Sequence, residues 1–132
     1  MNFKNMRNKL FKTGTSKSTQ ISDAAHEAKN TKEVLKKLPK LYEQDGKGDE
    51  ALAFVKFFTP DGGWTWYATE GEPIKDEKGN EIDFEFFGLV KGFESELGYF
   101  RLSELQKIRG QLGLPVERDM FFKPTPLREL NK

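Results

Sequence analysis

At 132 residues and 36% hydrophobic content, the chain suits one domain that can bury a core without disulfides or metal. It contains no cysteine, which excludes disulfides, thiolate nucleophiles and Cys-based zinc or iron–sulfur centres, and it has no run of about 20 apolar residues for a membrane-spanning helix. The net charge of +1 hides an asymmetry: residues 1–40 carry ten Lys or Arg against three Asp or Glu, and residues 41–132 carry twelve against eighteen, giving +7 and −6.

Residues 1–30 read as a basic, flexible leader and residues 31–132 as a globular domain. The start, "MNFKNMRNKLFKTGTSKS", has no apolar stretch of signal-peptide length. With the missing cysteines, this makes the cytoplasm the expected location. Lys4, Arg7, Lys9 and Lys12 surround a loose helical stripe of Phe3, Met6, Leu10 and Phe11, and are the candidate nucleic-acid contacts. His26, the single histidine, has no Cys or metal-ligand motif beside it and reads as an exposed helix residue. Thr31 is placed to cap a helix running to about Leu38, which Pro39 ends.

From Ala51 the period becomes two. "ALAFVKFFT" sets Phe54, Lys56 and Phe58 against Val55 and Phe57 on opposite sides of a strand, and "PDGG" turns it into a return strand, "WTWYATE". "EGEPIKDEKGNE" reads as a connection with Gly79 and Asn80 at its tip, "IDFEFFGLV" as a third strand and "LGYFRL" as a short fourth. Ser103, with Gln106 three residues on, has capping-box spacing for a helix "ELQKIRGQL", stopped by Gly113 and Pro115. "VERDMFFK" suits a last short strand, and the residues after Pro124 an extended surface tail. Consecutive strands joined by short turns predict an α+β domain, a four- to five-stranded antiparallel sheet with flanking helices.

Trp64 and Trp66 share a strand face, and large aromatics in a small domain are expected to serve as core beneath helices bearing Leu38, Leu102, Leu105, Ile108 and Leu112. A base-stacking platform is disfavoured, because Glu70, Glu72, Asp76, Glu77, Glu81, Asp83 and Glu85 would repel phosphates. Five of these, Glu70, Asp76, Glu77, Glu81 and Asp83, form a candidate acidic face for binding a protein. A second polar group comprises Glu70, Glu96, Glu117, Arg118 and Asp119, in which Arg118 is expected to pair with Glu70 or Glu96 as a structural ion pair first and a ligand contact second. No phosphate-loop, dinucleotide or serine-hydrolase motif is present, so no catalytic residue, metal or cofactor is assigned. An enzymatic role would have to use carboxylates near Glu70, Glu96 and Asp119.

The segments "LPKLYE", "VKFFTPDGGWTWYATE", "FFGLVKGFESELGYFRLSEL" and "RGQLGLPVERDMFFKPTPL" resemble the bacterial domain of unknown function family 2958 over about residues 38–127. The matching positions include Trp64, Trp66, Tyr67, Glu70, Phe87, Gly88, Glu96, Gly98, Tyr99, Phe100, Arg109, Gly110, Glu117, Arg118 and Asp119. The resemblance implies a mobile-element context of conjugative elements, plasmids and phages, with no accepted activity, cofactor or catalytic residue. The expected function is therefore a non-catalytic interaction protein of a mobile genetic element. It would act as a counter-defence inhibitor, of anti-restriction or anti-CRISPR type, through the acidic face. The partner would be a host or element protein that itself binds nucleic acid. The alternative is a nucleic-acid-binding accessory of conjugation or replication that uses the leader.

Overall fold

A computed structural model describes residues 33–131. The leader, with Lys4, Arg7, Lys9, Lys12 and His26, lies outside the described residues, as does Thr31. After a helical turn at 33–36 and a 3-10 turn at Gly48–Glu50 come β1 (Leu52–Ala53), β2 (Val55–Phe58), β3 (Thr65–Lys75), β4 (Glu81–Lys91) and β5 (Ser95–Arg101). They are followed by α1 (Leu102–Lys107), β6 (Glu117–Arg118), β7 (Thr125–Pro126) and α2 (Leu127–Leu130). The expected α+β architecture is present as a five-stranded antiparallel sheet in the order β5-β4-β3-β2-β6, with a two-stranded sheet of β1 and β7 beside it.

The PDGG turn closes the first hairpin as its composition predicts. The Thr59 N–H donates to the Trp64 carbonyl at 3.0 Å, and Thr59 Oγ1 accepts from the Trp64 N–H at 3.1 Å. Phe57 then faces Trp66 in register. The next connection is much shorter than "EGEPIKDEKGNE" suggests, because β3 continues to Lys75 and only a tight turn remains. Pro73 is tolerated there because β2 pairs only with residues 65–68 of β3. The Gly71 N–H points away from β4 to the Pro39 carbonyl at 2.9 Å, and Pro73, two residues on, would point its missing N–H to the same unpaired side. The turn itself is held by Asp76, whose Oδ1 accepts from the N–H groups of Lys78 and Asn80, each at 2.9 Å.

Each face of the sheet carries a packed apolar cluster. On the first, Val55, Phe57, Trp66, Phe84, Phe86 and Phe100 meet Leu35 and Leu38 of the N-terminal segment and Leu102 and Leu105 of α1, with Ile108 at the margin. Phe86 binds this layer together, stacked 5.2 Å from Phe100 and edge-on at 5.3 Å to Phe57. Burying each such ring is worth about 1.5–3 kcal/mol. The second face carries a smaller cluster of Ala51, Ala53, Leu89 and Leu127, with Tyr67, Phe122 and Leu130 packed on it.

Four sequence expectations need correction. The strand from Ala51 is broken at Phe54, because buried Gln44 takes the backbone groups that would have extended it: its Nε2 donates to the carbonyls of Leu52 and Thr69, and its Oε1 accepts from the Leu52 N–H. β1 then pairs with β7 instead. The tail beyond Pro124 is not a surface extension; it forms β7 and α2 and buries Leu127 against the second face. α1 ends at Lys107, well before Gly113, and leaves Leu112 exposed instead of in the core. Ser103 does not cap α1 from within. Asp83 does so from β4, accepting the Ser103 N–H at 3.1 Å and the Ser103 hydroxyl at 2.5 Å.

Candidate functional site

The expected acidic face is divided by the fold. Glu70 and Asp83 are buried, at 5% and 9% exposure, and Asp83 is occupied by Ser103 and the Phe84 N–H. Asp76 spends its carboxylate on its own turn, and the Asn80 N–H in particular holds its pKa below the usual carboxylate value. Glu77 and Glu81 remain exposed at the β3–β4 tip.

The second polar group does not converge. Glu96 lies on β5 and Glu117 and Arg118 on β6, the two edges of the five-stranded sheet, so about 19 Å of strand spacing separates them. Arg118 therefore cannot pair with Glu96. Asp119 forms a 3.8 Å ion pair with Lys56 and accepts the Phe121 N–H, and the Glu70 carboxylate meets the Tyr42 N–H. Among the described residues no group of three or more His, Cys, Asp or Glu could share a metal ion, and no helix is long and apolar enough to cross a membrane.

What the fold does assemble is a groove at one end of the sheet, between the β2–β3 turn, the β4–β5 turn and the chain leaving α1. Its volume is about 590 Å³, and Trp64, Trp66, Phe93, Ile108 and Arg109 line it. Trp66 is core at 5% exposure, as composition predicts, whereas Trp64 is 38% exposed and stacks on it at 6.0 Å. Phe93 is 95% exposed and meets Trp64 edge-on at 5.7 Å. The far wall is held by Asp61, whose Oδ2 accepts the N–H groups of Leu112 at 2.5 Å and Leu114 at 3.3 Å. The same carboxylate lies where a side chain at 110 would start, 1.5 Å from an ideal Cβ, so a side chain there would have to push Asp61 out of its place against the loop. Asp61 and Phe93 escaped sequence reasoning; an Asp in a Pro-Asp-Gly turn ordinarily serves only its own turn.

A second cavity, of about 410 Å³, opens on the other sheet face, where Phe87 and Tyr99 stand opposite each other with rings 5.0 Å apart. Glu70 lies in its wall, and Tyr42, at φ 75°, occupies the left-handed region that a bulky residue seldom adopts. A hydrogen bond in which the Tyr99 phenol donates to the Tyr42 side chain pushes the Tyr99 phenol up from 10.0 to about 12, with burial and nearby Glu70 and Glu85 adding to the shift. A raised phenol pKa favours the neutral form in the folded chain. Its contribution to stability is complete below about pH 10 and is lost as pH rises through about 12. Burial and Asp119 raise Tyr67 as well. In an ultraviolet titration of phenolate absorbance, Tyr42→Phe is expected to bring Tyr99 ionisation down toward the ordinary value; an unchanged curve would show that the tyrosine pair does not exist in solution.

A family model described as "Protein of unknown function (DUF2958)" matches residues 28–130, reaching beyond residues 38–127 at both ends. No curated protein and no solved structure matches the chain.

Proposed function

We propose that this chain, which belongs to the DUF2958 family, is a non-catalytic interaction protein that holds a partner protein in its end groove. The observation that carries this is the pairing of Phe93, 95% exposed, with Trp64, 38% exposed, over a groove held open by Asp61. Aromatic side chains left in water at a groove lip are anchors of the kind that dominate binding energy at protein interfaces. Recognition thus moves from the acidic hairpin face to the sheet end, since Glu70 and Asp83 are withdrawn into the fold. The net −6 of residues 41–132 still favours a partner with a basic surface, such as one that binds nucleic acid. The biological setting we propose is a mobile genetic element, with a restriction or CRISPR component as the target.

The test uses the full chain as bait in host cytoplasm, beside two double variants: Trp64→Ala with Phe93→Ala, and Glu77→Lys with Glu81→Lys. The groove variant is expected to lose about 2 kcal/mol, roughly thirtyfold in affinity, for a retained nuclease or nucleic-acid-binding subunit. Equal retention by wild type and groove variant would overturn the groove assignment, and loss only in the Lys variant would return recognition to the hairpin. The second reading rests on the +7 of residues 1–40; a DNA mobility shift that vanishes when residues 1–30 are deleted would support it.

A further inference from the structure

We infer that the cavity between Tyr42, Glu70 and Tyr99 is a binding site for the ammonium or guanidinium head of an organic cation. It lies on the sheet face opposite the end groove and does not depend on what that groove binds. An isolated carboxylate is costly to bury, and it needs hydrogen bonds or an opposite charge. Glu70 is 5% exposed, and the hydrogen bond found for it is the one its Oε1 accepts from the Tyr42 N–H at 2.5 Å. The ion pairs of Lys56 with Asp119, Arg101 with Glu85, and Arg128 with Glu50 and Glu129 do not include Glu70.

The rest of the cavity suits such a ligand. Tyr42, Phe87 and Tyr99 are among its lining residues, and Tyr42 and Tyr99 are both more than half exposed. Asp45 adds a second negative charge, and no Lys or Arg is among the lining residues. A positive head would rest between the rings with Glu70 beneath, combining cation–π attraction with a charge-assisted hydrogen bond. An anion would meet two carboxylates and no counter-charge. The left-handed backbone of Tyr42 fits this role, because it aims the peptide N–H at Glu70 while leaving the ring at the mouth.

The experiment is a nuclear magnetic resonance titration of the full chain with n-butylammonium, methylguanidinium and, as the neutral isostere, n-butanol. Saturable shifts centred on Tyr42, Glu70 and Tyr99 are expected for the cations and not for the alcohol. Glu70→Gln keeps the acceptor for the Tyr42 N–H but removes the charge, and should weaken cation binding at least about tenfold. Should that variant fail to fold, Tyr99→Ala takes its place, since Tyr99 is 51% exposed and lines the cavity. Spermidine and the blocked peptide acetyl-Gly-Lys-Gly-amide then distinguish a free polyamine from a protein side chain as the source of the head. Equal shifts with n-butanol, no saturation with either cation, or full affinity in a folded Glu70→Gln or Tyr99→Ala variant would each overturn the site.

Discussion

Gly88→Ala is expected to destabilise the fold by about 3 kcal/mol or more. Gly88 sits in β4, in register with Ala68 of β3 and Gly98 of β5. A Cβ there would lie 1.8 Å from the Tyr67 carbonyl oxygen, 2.8 Å from its carbon and 3.0 Å from the Ala68 Cα. All three are backbone atoms of the neighbouring strand, so no side-chain rotation relieves the contact. Relief requires β3 and β4 to separate where both are central strands and the Thr69 bulge already displaces the ladder. Gly98→Ala is the control, because its Cβ would meet nothing within 4 Å. In urea unfolding the Gly88 variant should lose more than about 1 M in midpoint while the Gly98 variant stays near wild type. Similar midpoints for the two variants would show that the strands do not approach this closely.

Asp83→Ala should cost about 3 kcal/mol, while Glu77→Ala, six residues away on the same hairpin, should stay within about 0.5 kcal/mol. Asp83 accepts the N–H of Phe84 at 2.8 Å, the N–H of Ser103 at 3.1 Å and the hydroxyl of Ser103 at 2.5 Å. Removing it leaves the first turn of α1 without its cap and takes from the buried Phe84 N–H the acceptor it has in Asp83. α1 supplies Leu102 and Leu105 to the main cluster, so loosening its start loosens the layer that covers Phe86. Thermal or urea midpoints of the two variants decide the matter: equal, small shifts would return Asp83 to the surface role that its sequence neighbours suggest.

The contrast between these carboxylates shows where sequence reasoning stops. Asp83 and Glu77 belong to one acidic run, and nothing in their spacing separates them; what does is Ser103, twenty residues beyond Asp83, arriving at the end of β5. Asp61 is similar, since its carboxylate reaches backbone groups more than fifty residues away. Arg118 shows the converse. Its place in a dense polar run suggests a partner such as Glu96, but sheet order sets the two on opposite edges.

Local chemistry determined much of the rest. Alternation marked β2 to β5, the Pro-Asp-Gly-Gly turn joined the first hairpin, Gly79 and Asn80 marked the tip of the second, and the apolar steps of Leu102 and Leu105 marked the cover of the core. These features rest on periods of two and of three to four residues and on turn dihedrals, which a chain expresses without distant neighbours. Tertiary structure alone decided which carboxylates are buried, that α1 ends at Lys107, that the tail closes the second face, and that Trp64 meets Phe93 over a groove while Trp66 lies in the core. Each of these depends on a hydrogen bond or a close approach between residues far apart in the chain, and the energies involved, a few kcal/mol apiece, leave no periodic trace along it.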